Sequence, residues 1–344
     1  MLFKIFKNIM IRSCMTASNN LVNNIQSSVI PEYNLDTRLL RVAIIGVPNA
    51  GKSTFINNLM DRKVCATSAK VHTTRRKSMA IFTADDAQIV FVDTPGLISD
   101  KEQKRYNLEK TFIRDTKNVL KLADIIGVIH DVTNYWTRER LDIKIIKLLE
   151  MHKEKPSFLV FNKVDALKSK RKLLDLTRQV TDNCIDGKPI PNGKAIKKDN
   201  QDKGWPYFQE IFMVSALTGD GLSDVKNYLI RNAKPGQWMF PHEVWTDQSA
   251  EMIITNSVQA KFLDFLPQEI PYQLKPVIEY FNVDENGVIS AVVIVNCSSA
   301  RVAKLVAGAS DGKLKQMTES VQQDLQDTFH NYVKIKIVLI PPKK

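Results

Sequence analysis

The stretch that decides the fold is Gly46-Val47-Pro48-Asn49-Ala50-Gly51-Lys52-Ser53. The apolar run before it, Arg41 to Ile45, predicts a buried strand, and the residues after it, Thr54 to Met60, predict a helix. In such a strand–loop–helix unit the backbone N–H groups curl around phosphate oxygens, Lys52 neutralises the outer phosphates and Ser53 offers its hydroxyl to Mg²⁺. The residues expected at the phosphates are Gly46, Pro48, Asn49, Ala50, Gly51, Lys52, Ser53 and Thr54.

A second predicted strand, Gln88 to Val92, leads into Asp93-Thr94-Pro95-Gly96. We expect Asp93 to hold Mg²⁺ through water and the Gly96 N–H to contact a γ-phosphate. The segment before this strand contains Thr73-Thr74, and one of these two hydroxyls is expected to reach Mg²⁺ only when the γ-phosphate is present. The residues expected to act in hydrolysis are Lys52, Thr74 and Gly96, and the predicted metal-binding set is Ser53, Thr73, Thr74 and Asp93.

Three later strands are predicted at Ile125 to His130, Ser157 to Phe161 and Ile211 to Val214, and their carboxyl ends should meet at the ligand-binding edge of a parallel sheet. The second of them delivers Asn162-Lys163-Val164-Asp165. A carboxylate at Asp165 can accept hydrogen bonds from the N1–H and N2 amino groups of guanine, which adenine lacks, while the Lys163 stem covers the ring. The third strand leads to Ser215-Ala216-Leu217, which would complete the base pocket.

Together these motifs resemble the G motifs of the translation-factor-related GTPases. The resemblance implies an α/β P-loop GTPase domain with a mostly parallel sheet, which binds GTP and GDP with Mg²⁺. Leu97 stands where many small GTPases have a glutamine that orients the attacking water, so we expect slow intrinsic hydrolysis. Asn49 resembles an asparagine that helps to hold K⁺ beside the phosphates in some of these GTPases, and turn geometry explains it equally well.

The sequence Lys234-Pro235-Gly236 is typical of a turn or loop and marks the end of the first domain. An aromatic connector, Trp238 to Asp247, and a second module follow it. The patterns of the second module predict, in order, a helix, two strands, two helices and a strand, at Ser249 to Leu266, Leu274 to Val283, Val288 to Asn296, Ser299 to Ala307, Lys313 to His330 and Tyr332 to Ile340. This order resembles a type II KH domain, whose glycine-containing loop clamps RNA backbone. The connector and Glu269-Ile270-Pro271-Tyr272 are similar to the Era family, so the expected fold is a P-loop GTPase domain followed by a smaller α+β type II KH-like domain.

The loop of this module departs from the family pattern. It falls at Gly308-Ala309-Ser310-Asp311, so an acid stands where the family has its second glycine, and Gly312 comes one place late. An acid beside a phosphate path should repel RNA. The RNA contacts that the resemblance implies are Gly308, Ala309, Ser310, Gly312, Lys313 and Lys315.

The charge of the chain is unevenly distributed. The whole chain has 49 basic and 37 acidic residues, but only ten and twelve of these lie from residue 235 onward, so the basic excess belongs to the nucleotide-binding part. A basic surface favours polyanionic neighbours such as RNA or anionic lipid. The four cysteines are too far apart to indicate a disulfide framework or a zinc site, and no apolar run reaches the ~18 residues of a membrane span.

The first thirty residues contain Lys4, Lys7 and Arg12, and no acid precedes Glu32, which is typical of a mitochondrial presequence. An unstructured basic tail is the alternative. The expected domains are a targeting segment at 1–35, a G domain at 36–234 with a surface insertion at 186–206, a linker at 235–248 and a KH-like domain at 249–344.

The expected function is a GTP-hydrolysing assembly factor of the mitochondrial small ribosomal subunit, which works in the matrix and binds small-subunit rRNA. One alternative is an RNA-binding scaffold that holds GTP but scarcely hydrolyses it. Another is a GTPase peripheral to the inner membrane, or a protein scaffold, whose KH fold has lost RNA clamping. No stable oligomer is inferred.

Overall fold

The computed structural model describes residues 36–67, 78–93, 119–191, 204–267 and 269–342. The chain divides into two compact units, with the described residues falling in Asp36–Asp247 and Gln248–Lys344. The expected targeting segment at 1–35 lies outside the described residues, as do Thr73, Thr74, Thr94, Pro95, Gly96 and Leu97. Among the helices that the structure does describe, none is long and apolar enough to cross a bilayer.

The first unit is built on one central sheet. Its strands are β1 (Arg38–Ile45), β2 (Ser78–Ala84), β3 (Ala87–Asp93), β4 (Ile125–Asp131), β5 (Ser157–Asn162), β6 (Cys184–Ile185), β7 (Lys188–Pro189), β8 (Phe208–Val214) and β9 (Lys234–Pro235). The sheet runs in the order β2-β3-β1-β4-β5-β8, and a separate hairpin pairs β6 with β7. Within the central sheet the pairings are parallel except that β2 is antiparallel to β3 and β9 is antiparallel to the start of β1.

Helices cover both faces of this sheet. They are α1 (Lys52–Met60), α2 (Ile143–Met151), α3 (Arg171–Val180) and α4 (Leu222–Asn232). The apolar side chains of α1 and α4 form one core with one face of the sheet, and those of α2 and α3 form a second core with the other face. Because both faces are covered, the central strands β4 and β5 are buried along nearly their whole length and have continuous apolar segments, as parallel strands do.

The second unit has its own three-stranded sheet. Its elements are α5 (Ala250–Phe265), α6 (Ile270–Gln273), β10 (Pro276–Val283), β11 (Ile289–Asn296), α7 (Ala300–Ala307), α8 (Gly312–Phe329) and β12 (Val333–Ile340). β10 is antiparallel to β11, and β11 is parallel to β12. The order of the long elements is the one that the sequence predicts. The one-turn helix α6 is an addition, and its Pro271 lies in the first turn, where a missing N–H costs nothing.

The expected surface insertion at 186–206 needs a correction at its end. Trp205 is only 5% exposed, and its indole N–H donates to the Ser157 hydroxyl at the start of β5. Asp186 and Gly187 also donate backbone hydrogen bonds, to the Phe208 and Pro206 carbonyls. These residues therefore belong to the body of the first unit, and residues 192–203 lie outside the described part of the chain.

Candidate functional site

The glycine-rich loop between β1 and α1 depends on its glycines for geometric reasons. Gly51 has φ 94°, a left-handed conformation that favours glycine. A Cβ at Gly51 would also overlap the side-chain amide nitrogen of Asn162, and one at Gly46 would lie 2.6 Å from the Ile129 carbonyl oxygen. Asn49 is left-handed as well, with φ 61°, which asparagine tolerates better than most residues. The loop is therefore packed directly against the ends of β4 and β5.

Lys52 begins α1 and folds back over the loop. Its Nζ donates to the carbonyl oxygens of Gly46 and Val47, both at 3.2 Å, and the side chain is buried. Ser53 follows it in the first turn of α1, and the first turn of a helix favours an anion. Lys52 thus holds its positive charge beside Gly46 and Val47, at the start of the glycine-rich loop.

Asn162, at the end of β5, joins three of the predicted motifs. Its Nδ2 donates to the Ala50 carbonyl at 2.8 Å, and its Oδ1 accepts from the backbone N–H groups of Lys163 and Ala216, at 2.8 and 2.9 Å. The side chain is 1% exposed. One buried amide therefore fixes the phosphate loop, the base-selecting motif and the Ser215-Ala216-Leu217 loop relative to one another.

Lys163 is held above the phosphate loop by two acceptors. Its Nζ donates to the Asn49 carbonyl at 2.9 Å and to Asp131 Oδ2 at 2.6 Å. Burial opposes ionisation of Asp131, but hydrogen bonds from Lys163 and Thr133 outweigh it and hold the pKa of this carboxyl below its ordinary value. The charged pair leaves the aliphatic stem of Lys163 free to cover a base ring, as the sequence predicts for it.

Asp165 lies in the short 3-10 turn Val164–Ala166, immediately after the left-handed residue Lys163 (φ 67°). Asp165 is exposed to solvent. Ser215, after the neighbouring strand β8, is fully buried, and its Oγ accepts the Thr218 N–H at 3.2 Å. Leu217 is exposed. These positions suit a base that enters between Asp165 and the 215–217 loop.

The structure adds residues that the sequence motifs do not include. Asn58 on α1 donates its side-chain amide to the Ala216 carbonyl, which ties the helix to the base loop. Asn57 donates to the Cys65 carbonyl at 2.8 Å and accepts the Cys65 N–H at 2.7 Å, which fixes the chain just before residue 68. Asp131 was predictable only as the last residue of a strand that ends at the ligand-binding edge.

The connector after β9 is bound along the edge of the sheet formed by β2 and β3. Gln88 on β3, which is fully buried, accepts from the Met239 and Phe240 N–H groups and donates to the Phe240 carbonyl. Farther along, Ile81 on β2 donates its N–H to the Trp245 carbonyl at 2.9 Å. By these contacts the residues of the expected linker, up to Asp247, belong to the first unit.

In the second unit, the predicted loop lies between α7 and α8. Gly308 has φ 77°, and a Cβ there would lie 2.7 Å from the Lys313 Cβ, so this position requires glycine. Ser310 and Asp311 are left-handed too, with φ 48° and 59°. Gly312 is already helical (φ −62°) and has open space around its Cα. Gly312 therefore lies in the first turn of α8 rather than in the loop.

Comparisons with known proteins show which chains this one resembles. Residues 41–163 match the family model described as "50S ribosome-binding GTPase". The chain is 36% identical to "GTPase Era, mitochondrial" of Danio rerio, over 89% of this chain and 76% of that protein, and 34% identical to the protein of the same name in Salmo salar, over 89% and 77%.

A solved structure has the same fold. It is described as Era in complex with MgGDPNP and nucleotides 1506-1542 of 16S ribosomal RNA, and it superposes with a TM-score of 0.71 at 24% identity, over 89% of this chain and 94% of that one. These likenesses confirm the predicted fold class, a P-loop GTPase domain with a mostly parallel sheet followed by a smaller type II KH-like domain.

Proposed function

The chain belongs to the Era family of GTPases and hydrolyses GTP, and from this premise we propose that it assists assembly of the mitochondrial small ribosomal subunit. The observation that carries the proposal is the pairing, in one chain, of a guanine-nucleotide pocket joined by Asn162 with a separate unit that presents a glycine loop at Gly308. The name of the fish relatives supports a mitochondrial location, with a targeting segment at 1–35 and the matrix as the compartment.

Each motif has a role in the proposed site. Gly46, Pro48, Asn49, Ala50, Gly51, Lys52 and Thr54 surround the phosphates, and Asn162, Lys163, Asp165, Ser215, Ala216 and Leu217 form the base pocket. Asp93 ends β3 and pairs with Ile44 near the end of the parallel strand β1. Ser53 lies at the start of α1, the helix that follows β1. Their oxygen atoms suit Mg²⁺, which would neutralise charge on the phosphates. Thr73 or Thr74, Thr94, Pro95 and Gly96 would sense the γ-phosphate.

The nucleotide state is proposed to control docking through β2. The segment that contains Thr73 and Thr74 runs directly into β2, and the edge of β2 carries the end of the connector through Thr246 and Asp247, which bond to the Met79 carbonyl and N–H. A change in the position of β2 on γ-phosphate loss would therefore move the residues that lead into the second unit. Hydrolysis would then time release from the ribosomal subunit.

The second unit is proposed to hold small-subunit rRNA at Gly308, Ala309, Ser310, Gly312, Lys313 and Lys315. The rRNA named in the description of the similar Era structure supports this assignment. Ultraviolet crosslinking in intact mitochondria tests it, followed by sequencing of the attached RNA and mapping of the crosslinked peptides. Crosslinks between small-subunit rRNA and residues 274–340 support the proposal. If no rRNA is enriched among the crosslinked RNA, the proposal is refuted. If the crosslinks are confined to residues 36–247, the RNA site lies on the first unit instead.

The nucleotide pocket has its own test. Lys52→Ala should abolish GTP turnover, because the buried ammonium is the charge that faces the phosphates. Lys147→Ala removes an exposed lysine from α2 and serves as the matched control. Unchanged turnover in Lys52→Ala would contradict the site. The K⁺ hypothesis for Asn49 is tested by replacing K⁺ with Na⁺, which should slow hydrolysis in the natural protein but not in Asn49→Ala.

A membrane-peripheral or protein-scaffolding role is the second candidate, and the observation that favours it is Asp311. Asp311 has a left-handed backbone conformation at the start of α8. In the proposed complex an RNA phosphate would pass this carboxylate, which should repel it. Sedimentation with vesicles that contain cardiolipin, at increasing salt, separates the two roles. Retention of the protein on vesicles together with absence of rRNA crosslinks would favour the second candidate.

A further inference from the structure

The loop after β4 exposes two large aromatic side chains that neither core of the first unit uses. Tyr135 is 67% exposed and Trp136 is 82% exposed. Their rings contact each other edge to face, with centroids 5.6 Å apart. Leaving two adjacent aromatic rings in water forgoes a large hydrophobic stabilisation, and such surfaces commonly mark a site of interaction. Folding of the first unit does not account for this pair.

The loop that carries the pair is held firmly. Asp131 Oδ1 accepts from both the N–H and the hydroxyl of Thr133, and Asn134 Oδ1 accepts the Trp136 N–H at 3.1 Å. The far side is fixed by buried His130, whose Nε2 lies 2.8 Å from the Arg138 carbonyl oxygen. Because these bonds set the loop in advance, a partner that stacks on the rings would have little chain to order.

The charges around the aromatic pair favour an anionic partner. The Arg138 guanidinium lies 4.9 Å from the centre of the Tyr135 ring, and Arg140 is exposed two residues later. Among the described residues 131–142 there are three acids. Asp131 is bound to Lys163, Asp142 caps α2 through the Lys144 N–H, and Glu139 is exposed. The loop also belongs to the part of the chain that holds the basic excess.

We propose that Tyr135, Trp136 and Arg138 form a stacking platform for unpaired RNA bases, with Arg140 beside the phosphate path. Aromatic rings together with arginine planes are the groups on which splayed bases stack, and such stacking requires single-stranded RNA. The inference rests on the proposed function, since it places a second RNA contact on the nucleotide-binding unit. It is independent of the loop at Gly308.

The experiment measures binding of the complete chain to two fluorescent strands by anisotropy. One is a single-stranded RNA of 20 nucleotides in mixed sequence, and the other is an abasic ribose-phosphate strand of the same length. The test variant is Tyr135→Ala/Trp136→Ala, and the matched control is Tyr207→Ala. Tyr207 is another exposed aromatic residue, and the Lys153 ammonium lies 4.2 Å from the centre of its ring. It differs from the test pair in lying just before β8, at the amino end of that strand.

We expect the double variant to lose at least tenfold in affinity for the RNA strand, which is the effect of removing one stacked base, and to lose nothing on the abasic strand. Tyr207→Ala should match the natural protein on both strands. GDP affinity and the urea midpoint should not change in the double variant, because the Tyr135 and Trp136 side chains are exposed and belong to neither core of the first unit.

Two results would overturn the platform. They are an unchanged RNA affinity in the double variant and an equal loss on the abasic strand. Failure of the platform alone leaves the crosslinks at residues 274–340 in place. Failure of the proposed function removes those crosslinks in the natural protein, so the two failures are distinguishable.

Discussion

Asp131 offers the sharpest test of how the nucleotide pocket is held together. We expect Asp131→Asn to speed GDP dissociation, because the asparagine keeps an oxygen for Thr133 but removes the negative charge that Lys163 contacts at 2.6 Å. Lys163 would then be fixed by the Asn49 carbonyl alone. The base ring would lose part of its cover without any loss of a direct bond to the nucleotide, so Asp131 is a positioning residue.

The size of the effect follows from the surroundings of the pair. A hydrogen bond to a charged group contributes about 1.5–3 kcal/mol. The lysine side chain is 37% exposed and the carboxylate 15%, so solvent screening reduces the value for this pair to about 1–2 kcal/mol. Since 1.4 kcal/mol corresponds to a factor of ten, the GDP dissociation rate constant should rise roughly tenfold.

Stopped-flow chase of a fluorescent GDP analogue measures this rate constant. Asp142→Asn is the matched control, because Asp142 also accepts a backbone N–H but contacts α2 instead of Lys163, and asparagine caps helices equally well. The decisive comparison uses Lys163→Met as the background. If Asp131→Asn acts through Lys163, it should have no further effect there, and an equal acceleration in both backgrounds would refute the reasoning.

Three other predictions concern backbone, connector and charge. Gly51→Ala should abolish GDP binding measured by calorimetry, because Gly51 has a left-handed φ and a Cβ there would overlap Asn162. Gly312 lies in open space on a helix, so Gly312→Ala should leave GDP binding intact and should not lower the melting temperature. Gln88→Ala removes three hydrogen bonds to the connector, so it should destabilise the first unit by roughly 3 kcal/mol. It should also speed chymotrypsin cleavage at 238–245. A cleavage rate equal to that of the natural protein would contradict the role of Gln88 in holding the connector. Burial raises the pKa of Asp124, but hydrogen bonds from Arg41 outweigh burial and lower this pKa below its ordinary value. The ion pair therefore stabilises the fold at pH values above the pKa of about 4 in the unfolded chain, and this contribution is lost as the pH falls further. Arg41→Met should therefore cost about 1–2 kcal/mol in urea unfolding at pH 7 and less at pH 3, and a loss independent of pH would count against the ion pair.

The sequence alone determined the main parallel strands of the first unit and the order of the long elements of the second, and it predicts a nucleotide pocket. The sequence predicts β1, β4 and β5 because each contains a short continuous apolar run. The four motifs predict the pocket because the carboxyl ends of parallel strands meet at one edge. In the second unit, alternating residues in β11 and caps such as Ser299 mark the elements by purely local chemistry.

Tertiary structure decided what depends on residues far apart in the chain. The role of Asp131 needs Lys163, which lies 32 positions away, and the anchoring of the connector needs Gln88, which lies about 150 positions before it. The burial of Trp205 likewise depends on β5. A polar residue at a strand end or in a connector has the same local signal whether it caps a turn or bridges two motifs. Only packing, which brings the partner within hydrogen-bond distance, distinguishes these cases.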